Sequence, residues 1–258
     1  MSDKLVSVVI AAYNAEKYIR VCLDSILNQS YPNWEIWICD DSSTDQTLNI
    51  INEFAKSNSS IHVLHNETNL FAGKSRNRCI EQAKGYYIAI QDADDIAEIN
   101  RLEQLVNAIE TNDCDFVSSG HYLFDDEGIY KRNVPKVKKP QKRDFLFDIP
   151  FCHAATLFKK DCLLAVNGYR VSKETRRGQD YDMFMRLYAK GYKGINIDDL
   201  LYGYRVDRNT ISRRKFRYRV DECIIRYKGF KALGLMPKAI PYVLKPIPAY
   251  FLQKLRRR

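Results

Sequence analysis

Over its first 120 residues the chain alternates strand-length apolar runs with amphipathic segments of helical period, and few architectures accept that pattern. LVSVVIAAY (5–13), WEIWIC (34–39), SIHVLH (60–65), YYIAIQ (86–91) and DFVSSG (115–120) read as strands. Between the first two, AEKYIRVCLDSILNQ (15–29) sets Tyr18, Ile19, Cys22, Leu23, Ile26 and Leu27 at helical spacing. STDQTLNIINEFAKS (43–57) does the same with Leu48, Ile51, Phe54 and Ala55, and 73–85 and 97–112 predict two further helices. Strands regularly separated by helices predict an α/β fold: a Rossmann-like, mostly parallel sheet with helices on both faces. Ligands of such sheets bind beyond the carboxyl ends of the strands.

Polar residues gather at those ends. The first strand delivers Tyr13 and Asn14, the second Asp40 and Asp41, and the fourth Asp92, Asp94 and Asp95. Three carboxylates at one strand end repel one another by ~1–4 kcal/mol per close pair in a wet cleft unless a cation neutralises them. Oxygen ligands suit a hard divalent ion, Mg²⁺ or Mn²⁺, which keeps positions open for phosphates. Helix capping would account for one of the three aspartates, not for all. Neither GxGxxG nor GxxxxGK[ST] occurs, which excludes the dinucleotide fingerprint and the P-loop.

Beyond residue 120 the alternation fails. KRNVPKVKKPQKR (131–143), with seven basic residues and two prolines, reads as a mobile loop over the working edge of the sheet. DYDMFMRLYAKG (180–191) predicts a helix, and short strands are expected at 193–197 and 201–206. From about 212 the chain reads as helical, basic and aromatic. The net charge of +9 belongs to that tail: from Arg213 onward there are fourteen Lys or Arg against Asp221 and Glu222, a net of +12. The remainder holds 27 basic and 30 acidic residues, a net of −3. A basic segment with aromatic and aliphatic residues suits an anionic membrane surface, packing on the catalytic domain or a dimer contact. Its prolines and its short uncharged runs exclude a spanning helix. Nucleic acid is not an expected partner, because no recognition module accompanies the charge. Seven scattered cysteines without a CxxC pair and no evident signal peptide point to reduced thiols in the cytoplasm, and no ligand spacing suggests zinc.

VSVVIAAYN, DDSSTDQT, KSRNRCIEQAKGYYIAIQDADD and GQDYDMFMRL, in that order over roughly 5–205, resemble glycosyltransferase family 2, whose members have the GT-A fold. The resemblance implies an inverting, metal-dependent transferase, hexosyl or N-acetylhexosaminyl, that uses a nucleotide sugar, UDP-linked by expectation. It sets Ala12, Tyr13 and Asn14 beside the base and Asp41 on the uracil imide, a donor matched to a carboxylate acceptor. Lys74, Arg76 and Asn77 approach the donor or form a solvated helix start. Asp92 is implied at the ribose or metal shell, Asp94 as direct ligand of Mn²⁺ or Mg²⁺, and Asp95 behind them. Asp180 of GQDYD is implied as the base that deprotonates an acceptor hydroxyl; capping of its helix is the plain alternative. Gln179, implied with His153 on the acceptor side, stands where relatives often carry an acid, and Asp207 where many carry a histidine, so either Asp207 replaces that histidine as a third metal ligand or the ligand is absent. His153 falls in a segment similar to the acceptor side of the family and is either an acceptor contact or structural.

The organisation that follows is a GT-A domain over 1–211, with a nucleotide half to about 120 and an acceptor half beyond it, and a basic amphipathic helical segment over 212–258. A polyprenyl-diphosphate-linked saccharide as acceptor, an O-antigen, capsule or similar surface-polysaccharide intermediate, would place the enzyme on the inner face of a bacterial cytoplasmic membrane. The rival reading is a non-catalytic nucleotide- or glycan-binding partner of an assembly enzyme. A nucleotidyltransferase would want a Gly-rich basic loop near the start, which AAYNAEKYIR does not supply.

Overall fold

Every second residue of the first strand belongs to a different core. In β1 (Val6–Ala12), Val8 and Ile10 join one apolar cluster and Val9 the other, the period-2 signature of a strand buried on both faces. The computed structural model describes residues 3–206 and 216–255, with side chains as far as residue 251. After β1 come α1 (Ile19–Leu27), β2 (Trp34–Asp40), α2 (Thr47–Ser57), β3 (Ile61–His65), α3 (Phe71–Gln82) and β4 (Tyr87–Asp92), in the expected alternation. Next are β5 (Ile96–Ala97), α4 (Arg101–Thr111), β6 (Phe116–Asp125), β7 (Gly128–Asn133), β8 (Thr156–Lys159) and α5 (Lys160–Ala165). The chain continues through α6 (Gln179–Ala189), β9 (Gly194–Arg205), α7 (Phe216–Ala232), α8 (Ile240–Leu244) and α9 (Pro246–Leu255).

The strands form one sheet in the order β3-β2-β1-β4-β8-β6-β9-β5, with β7 beside β6. Pairing is parallel for β3-β2, β2-β1, β1-β4 and β6-β9. β8 runs antiparallel to both β4 and β6, so those two point the same way with a reversed strand between them. The sheet is thus mostly parallel, as expected, and helices cover both faces. One face packs Ile19, Leu23 and Ile26 of α1, Ile51 of α2 and Leu102 and Leu105 of α4. The other packs Cys79 and Ile80 of α3 and Met183, Phe184 and Leu187 of α6. Truncating one of the fully buried leucines to alanine would cost ~2–5 kcal/mol.

Several boundaries differ from the sequence expectation, each for a local reason. α2 begins at Thr47 rather than 43, because the turn before it is spent on side-chain bonds: Asn14 Oδ1 accepts from the Thr44 amide at 2.9 Å and Asp45 Oδ2 from Glu16 N at 3.1 Å. α4 begins at Arg101 because Ile96 and Ala97 pair with β9 instead. The segment 131–143 is no free loop. Lys131, Arg132 and Asn133 finish β7 against β6, and Asn196 ties the next stretch down through Nδ2 to Val137 O at 2.7 Å. The strands expected at 193–197 and 201–206 are one strand, β9, whose register against β6 shifts on both sides of Gly120.

The tail packs on the sheet domain. Ile225 and Phe230 of α7 are buried in the same cluster as Phe184 of α6. Arg226, also buried, donates from Nη1 to Leu146 O at 3.2 Å and lies over the Tyr181 ring. The 211/212 boundary falls outside the described residues. Among the described residues no helix is long and apolar enough to cross a membrane.

Candidate active site

The two aspartates that end β2 and open the following turn have different environments. Asp40, fully buried, accepts from Ser43 N at 3.2 Å and faces His65 Nδ1 at 3.0 Å, so it closes the turn. Asp41 accepts two bonds on Oδ1, from Asn66 Nδ2 at 2.7 Å and Leu70 N at 2.8 Å. Its Oδ2 accepts none from the described residues. Asp41 N in turn donates to Ala12 O at 2.8 Å, which couples the ends of β1 and β2. Beside them Tyr13 is half exposed, and Asn14 has a positive φ of 49°, a region asparagine tolerates. This end of the cleft therefore offers an exposed aromatic ring and one free carboxylate oxygen.

At the end of β4 the three acids also part company. Asp92 Oδ1 takes Arg76 Nη2 of α3 at 2.5 Å. Burial opposes the charge on Arg76, but Asp92, Tyr169 and Asp180 outweigh it and raise its pKa above the ordinary arginine value. Asp94 is solvent-exposed on one side yet crowded by protein, and its pKa is raised by burial first and by Asp92 second. Asp95 is buried and turned away from the mouth, accepting Tyr202 Oη at 2.8 Å and Arg205 N at 2.7 Å. Burial, then Asp92 and Asp94, push it up to about 8. Neither Asp94 nor Asp95 caps α4, whose first flanking residue is Asn100.

A buried arginine opens the cleft between the two halves of the sheet. The β4-β8 ladder ends at Ala89–Leu157, and beyond it the strands part. Arg101, with no exposed surface, fills the gap: it donates to Ile90 O at 2.7 Å, Ala154 O at 2.9 Å and Gln91 Oε1 at 2.8 Å. Two backbone carbonyl oxygens and one side-chain amide oxygen are thereby satisfied.

On the far side of the cleft, α6 presents Gln179 and Asp180 in its first turn. Gly178 holds the capping position, so Asp180 is not a cap; its Oδ1 accepts only from the adjacent Tyr181 N at 2.8 Å, and Oδ2 accepts nothing from the described residues. Asp180 is near enough to Arg76 and His153 to influence both electrostatically. His153 Nε2 lies 2.6 Å from the Tyr169 hydroxyl. Burial, then Arg76, lower its pKa to about 4 against the opposite pull of Asp180 and Asp92, so the ring is neutral at pH 7. Arg76, Asp92, His153, Tyr169 and Asp180 thus form one electrostatic group that joins α3, β4 and α6. Asp182 is not in it: it is buried and paired with Arg186 at 2.7 Å and Arg170 at 3.4 Å. Lys74 is exposed at the start of α3, and Asn77 is taken up by the backbone of Tyr169, donating to its O and accepting from its N, each at 2.8 Å.

No group of three or more His, Cys, Asp or Glu among the described residues is arranged around one metal position, and Asp207 lies outside those residues. The Asp94 carboxylate, bonded to its own backbone amide, and the second oxygen of Asp92 have no side-chain hydrogen-bond partner among the described residues. Two hard oxygen donors of like charge, one already raised by the other, fit a divalent ion that takes its remaining ligands from water and phosphate.

Arg101, Tyr169 and Tyr202 carry much of this geometry, and none stood out in the sequence. Their partners lie far along the chain: 110 residues separate Asp92 N from the Tyr202 hydroxyl that it donates to at 3.1 Å. The one available signal was the pair of tyrosines two apart in LYGYR, which a strand sets on the same face.

A family model described as glycosyl transferase family 2 matches residues 7–163. A Bacillus subtilis (strain 168) protein named as a glycosyltransferase, EpsE, is 36% identical over 254 residues, 97% of this chain and 91% of the relative. An Escherichia coli protein, WfgD, is 31% identical over 221 residues, 84% of this chain and 83% of its own length. Its name describes a UDP-Glc:α-D-GlcNAc-diphosphoundecaprenol β-1,3-glucosyltransferase. Among solved structures, Staphylococcus aureus TarS 1-349 in complex with UDP superposes with a TM-score of 0.70 at 21% identity, covering 88% of this chain and 69% of that one. That likeness is one of fold.

Proposed function

The chain belongs to glycosyl transferase family 2 and is a glycosyltransferase, and we propose that it inverts a UDP-linked hexose or N-acetylhexosamine onto a saccharide carried by a polyprenyl diphosphate. The observation that carries the donor assignment is Asp41. With Oδ1 committed to Asn66 and Leu70, one acceptor oxygen remains, a match for the single imide N3–H of uracil. Guanine presents two adjacent donors and would want both oxygens. Tyr13, with Ala12 and Asn14 behind it, supplies a face for the base, and the UDP named for TarS and WfgD agrees with this reading.

Transfer is an in-line displacement. The acceptor oxygen forms a bond to the anomeric carbon while the bond from that carbon to the diphosphate oxygen breaks. Asp180 takes the proton of the attacking hydroxyl, and UDP departs with the electron pair. Arg76, held on Asp92, brings fixed positive charge beside the departing diphosphate, and the neutral His153–Tyr169 pair presents hydrogen-bonding groups without a competing cation. A Mn²⁺ or Mg²⁺ ion held by Asp94 and Asp92 would neutralise the developing charge on the diphosphate. A non-catalytic binder would need no unpartnered carboxylate at the acceptor end, so Asp180 favours transfer.

We place the enzyme at the cytoplasmic face of the membrane through its tail. Phe216, Val220, Ile224 and Tyr227 are exposed along α7 at spacings of four, four and three, which is one helical stripe. Ile240, Leu244 and Phe251 continue the exposed apolar surface on α8 and α9, within a segment of net charge +12. The deciding experiment screens UDP-, GDP- and CDP-sugars with Mn²⁺ for thermal stabilisation, then follows UDP release against a polyprenyl-diphosphate N-acetylhexosamine. Stabilisation by GDP-sugars alone would reject the donor assignment.

A further inference from the structure

Two cavities flank the start of α6, and their charges are opposite in kind. The first, of about 370 Å³, is lined by Asp180 and contains four more carboxylates, Asp148, Glu174, Asp221 and Glu222, against Arg176, Arg177 and Arg219. The second, of about 500 Å³, is lined by Gln179 and by Lys74, Arg170, Lys173, Arg176 and Arg217, with no carboxylate among the described residues. Arg176 belongs to both walls.

The cationic cavity is assembled rather than incidental. Its five positive side chains come from three separate parts of the chain: the start of α3, the segment 170–176, and the start of α7. The 170–175 segment is locked by Thr175, which is buried and donates from Oγ1 to Arg170 O at 2.6 Å while accepting from Ser172 N at 3.2 Å. Arg176 is fixed over the Phe71 ring at 4.0 Å, and Phe71 holds a φ of +67°, a conformation costly for an aromatic residue. Arg170 has a partner in Asp182, whereas Lys74, Lys173 and Arg217 have no ion pair among the described residues. Like charges brought together without acids raise one another's energy, so this wall is matched to an anion.

We propose that this cavity is a phosphoryl subsite for the acceptor, and that it holds the diphosphate through which the acceptor sugar is attached to its lipid. The inference rests on the transferase reading given above and names the anchor of that reaction's second substrate. Gln179 lines the cationic cavity and Asp180, the next residue, lines the acidic one. A diphosphate in the first sets its attached sugar beside the carboxylate in the second. The acidic cavity, with five carboxylates against three arginines, is less favourable to phosphate than its neighbour and offers acceptors to neutral hydroxyls, so charge favours one placement of the two halves of the acceptor. The donor diphosphate has its own group at Arg76, Asp92 and Asp94, on the β4 side. Arg217 gives the tail a part in the site, which links membrane docking to acceptor capture.

The test uses Lys173→Gln and Arg217→Gln, both exposed and outside the catalytic group. Calorimetry measures farnesyl diphosphate binding to the full chain with UDP and Mn²⁺ saturating, with inorganic pyrophosphate as competitor and farnesol as control. The expected result is binding by the wild type, competition by pyrophosphate, no binding of farnesol, and a loss of about tenfold in each variant, the effect of one charge-assisted hydrogen bond. UDP affinity is expected to stay the same in both. A fall in UDP affinity in the variants would assign the cavity to the donor and overturn the proposal. Unchanged farnesyl diphosphate binding, or equal binding of farnesol, would overturn it as well. Failure of wild-type protein to bind UDP would instead reject the transferase's donor reading, while the farnesyl diphosphate measurement still reports on the cavity.

Discussion

Arg76 Nη2 lies 2.5 Å from Oδ1 of Asp92, and the other oxygen of that carboxylate has no hydrogen-bond partner among the described residues. One residue thus serves a fixed cation on one side and is available to a mobile one on the other. Asp94→Ala is expected to abolish the thermal stabilisation that Mn²⁺ adds to UDP and to leave the metal-free stability of the protein within ~0.5 kcal/mol, as for an exposed position. Differential scanning fluorimetry with UDP, with Mn²⁺ and with both checks it. Full Mn²⁺-dependent stabilisation in the variant would remove Asp94 as a ligand.

Asp41→Asn separates hydrogen-bond pattern from size. Its Oδ1 partners, Asn66 and Leu70 N, are both donors, so the amide oxygen must stay on them and the NH₂ must turn into the cleft. Two donors would then face each other at uracil N3. UDP affinity is expected to fall by ~10–100-fold, the penalty for an unsatisfied buried pair, and CDP, whose N3 accepts, to gain. Competition calorimetry with UDP and CDP reads both changes.

Asp180→Asn keeps the shape of the α6 turn and removes the proton acceptor. The expected outcome is a loss of ~10²–10⁴-fold in kcat with an unchanged donor KM, the usual share of a general base. Steady-state transfer with varied donor checks it, and near-normal turnover would reject the assignment.

Arg101→Leu strands Ile90 O, Ala154 O and the Gln91 amide oxygen, all buried. A loss of ~1–3 kcal/mol for each stranded acceptor, offset in part by the removal of a buried cation, is expected in urea unfolding. Arg101→Lys reaches fewer of the three oxygens and should fall between the two.

The pair between Glu174 and Lys228, at 2.6 Å, ties the 174–177 turn to α7. Its hydrogen bond to Lys228 lowers the Glu174 pKa from 4.5 to about 2. A depressed carboxylate pKa gives stability that is present above pH 4.5 and lost as pH falls toward 2. Lys228 is nearly half exposed, so solvent limits the gain to ~0.5–1 kcal/mol. Glu174→Gln should therefore be less stable than wild type at pH 6, with the two unfolding curves converging near pH 2.

The parallel half of the sheet was legible because its signal is local: Val6 to Ala12 make one near-continuous apolar run of strand length, the mark of a strand buried on both faces. β8 was not, since four residues are too few for a period and its place between β4 and β6 is set by partners on both sides. The 131–143 segment looked loose by composition, yet its anchor is Asn196, more than fifty residues on. At the site, acidic residue types were readable, but their division of labour was not. Asp40 and Asp41 are neighbours, and only the positions of Ser43, His65, Asn66 and Leu70 make one a turn brace and the other an open acceptor.

The bonds that settle Asp95 come from Tyr202 and Arg205, 107 and 110 residues downstream. During synthesis β1 to β4 can pair while those residues are still unmade. Until they arrive, the acid cluster lacks the two groups that turn one of its members inward. Competence to bind a nucleotide sugar is therefore a late event in the birth of the molecule, reached after most of its sheet already exists.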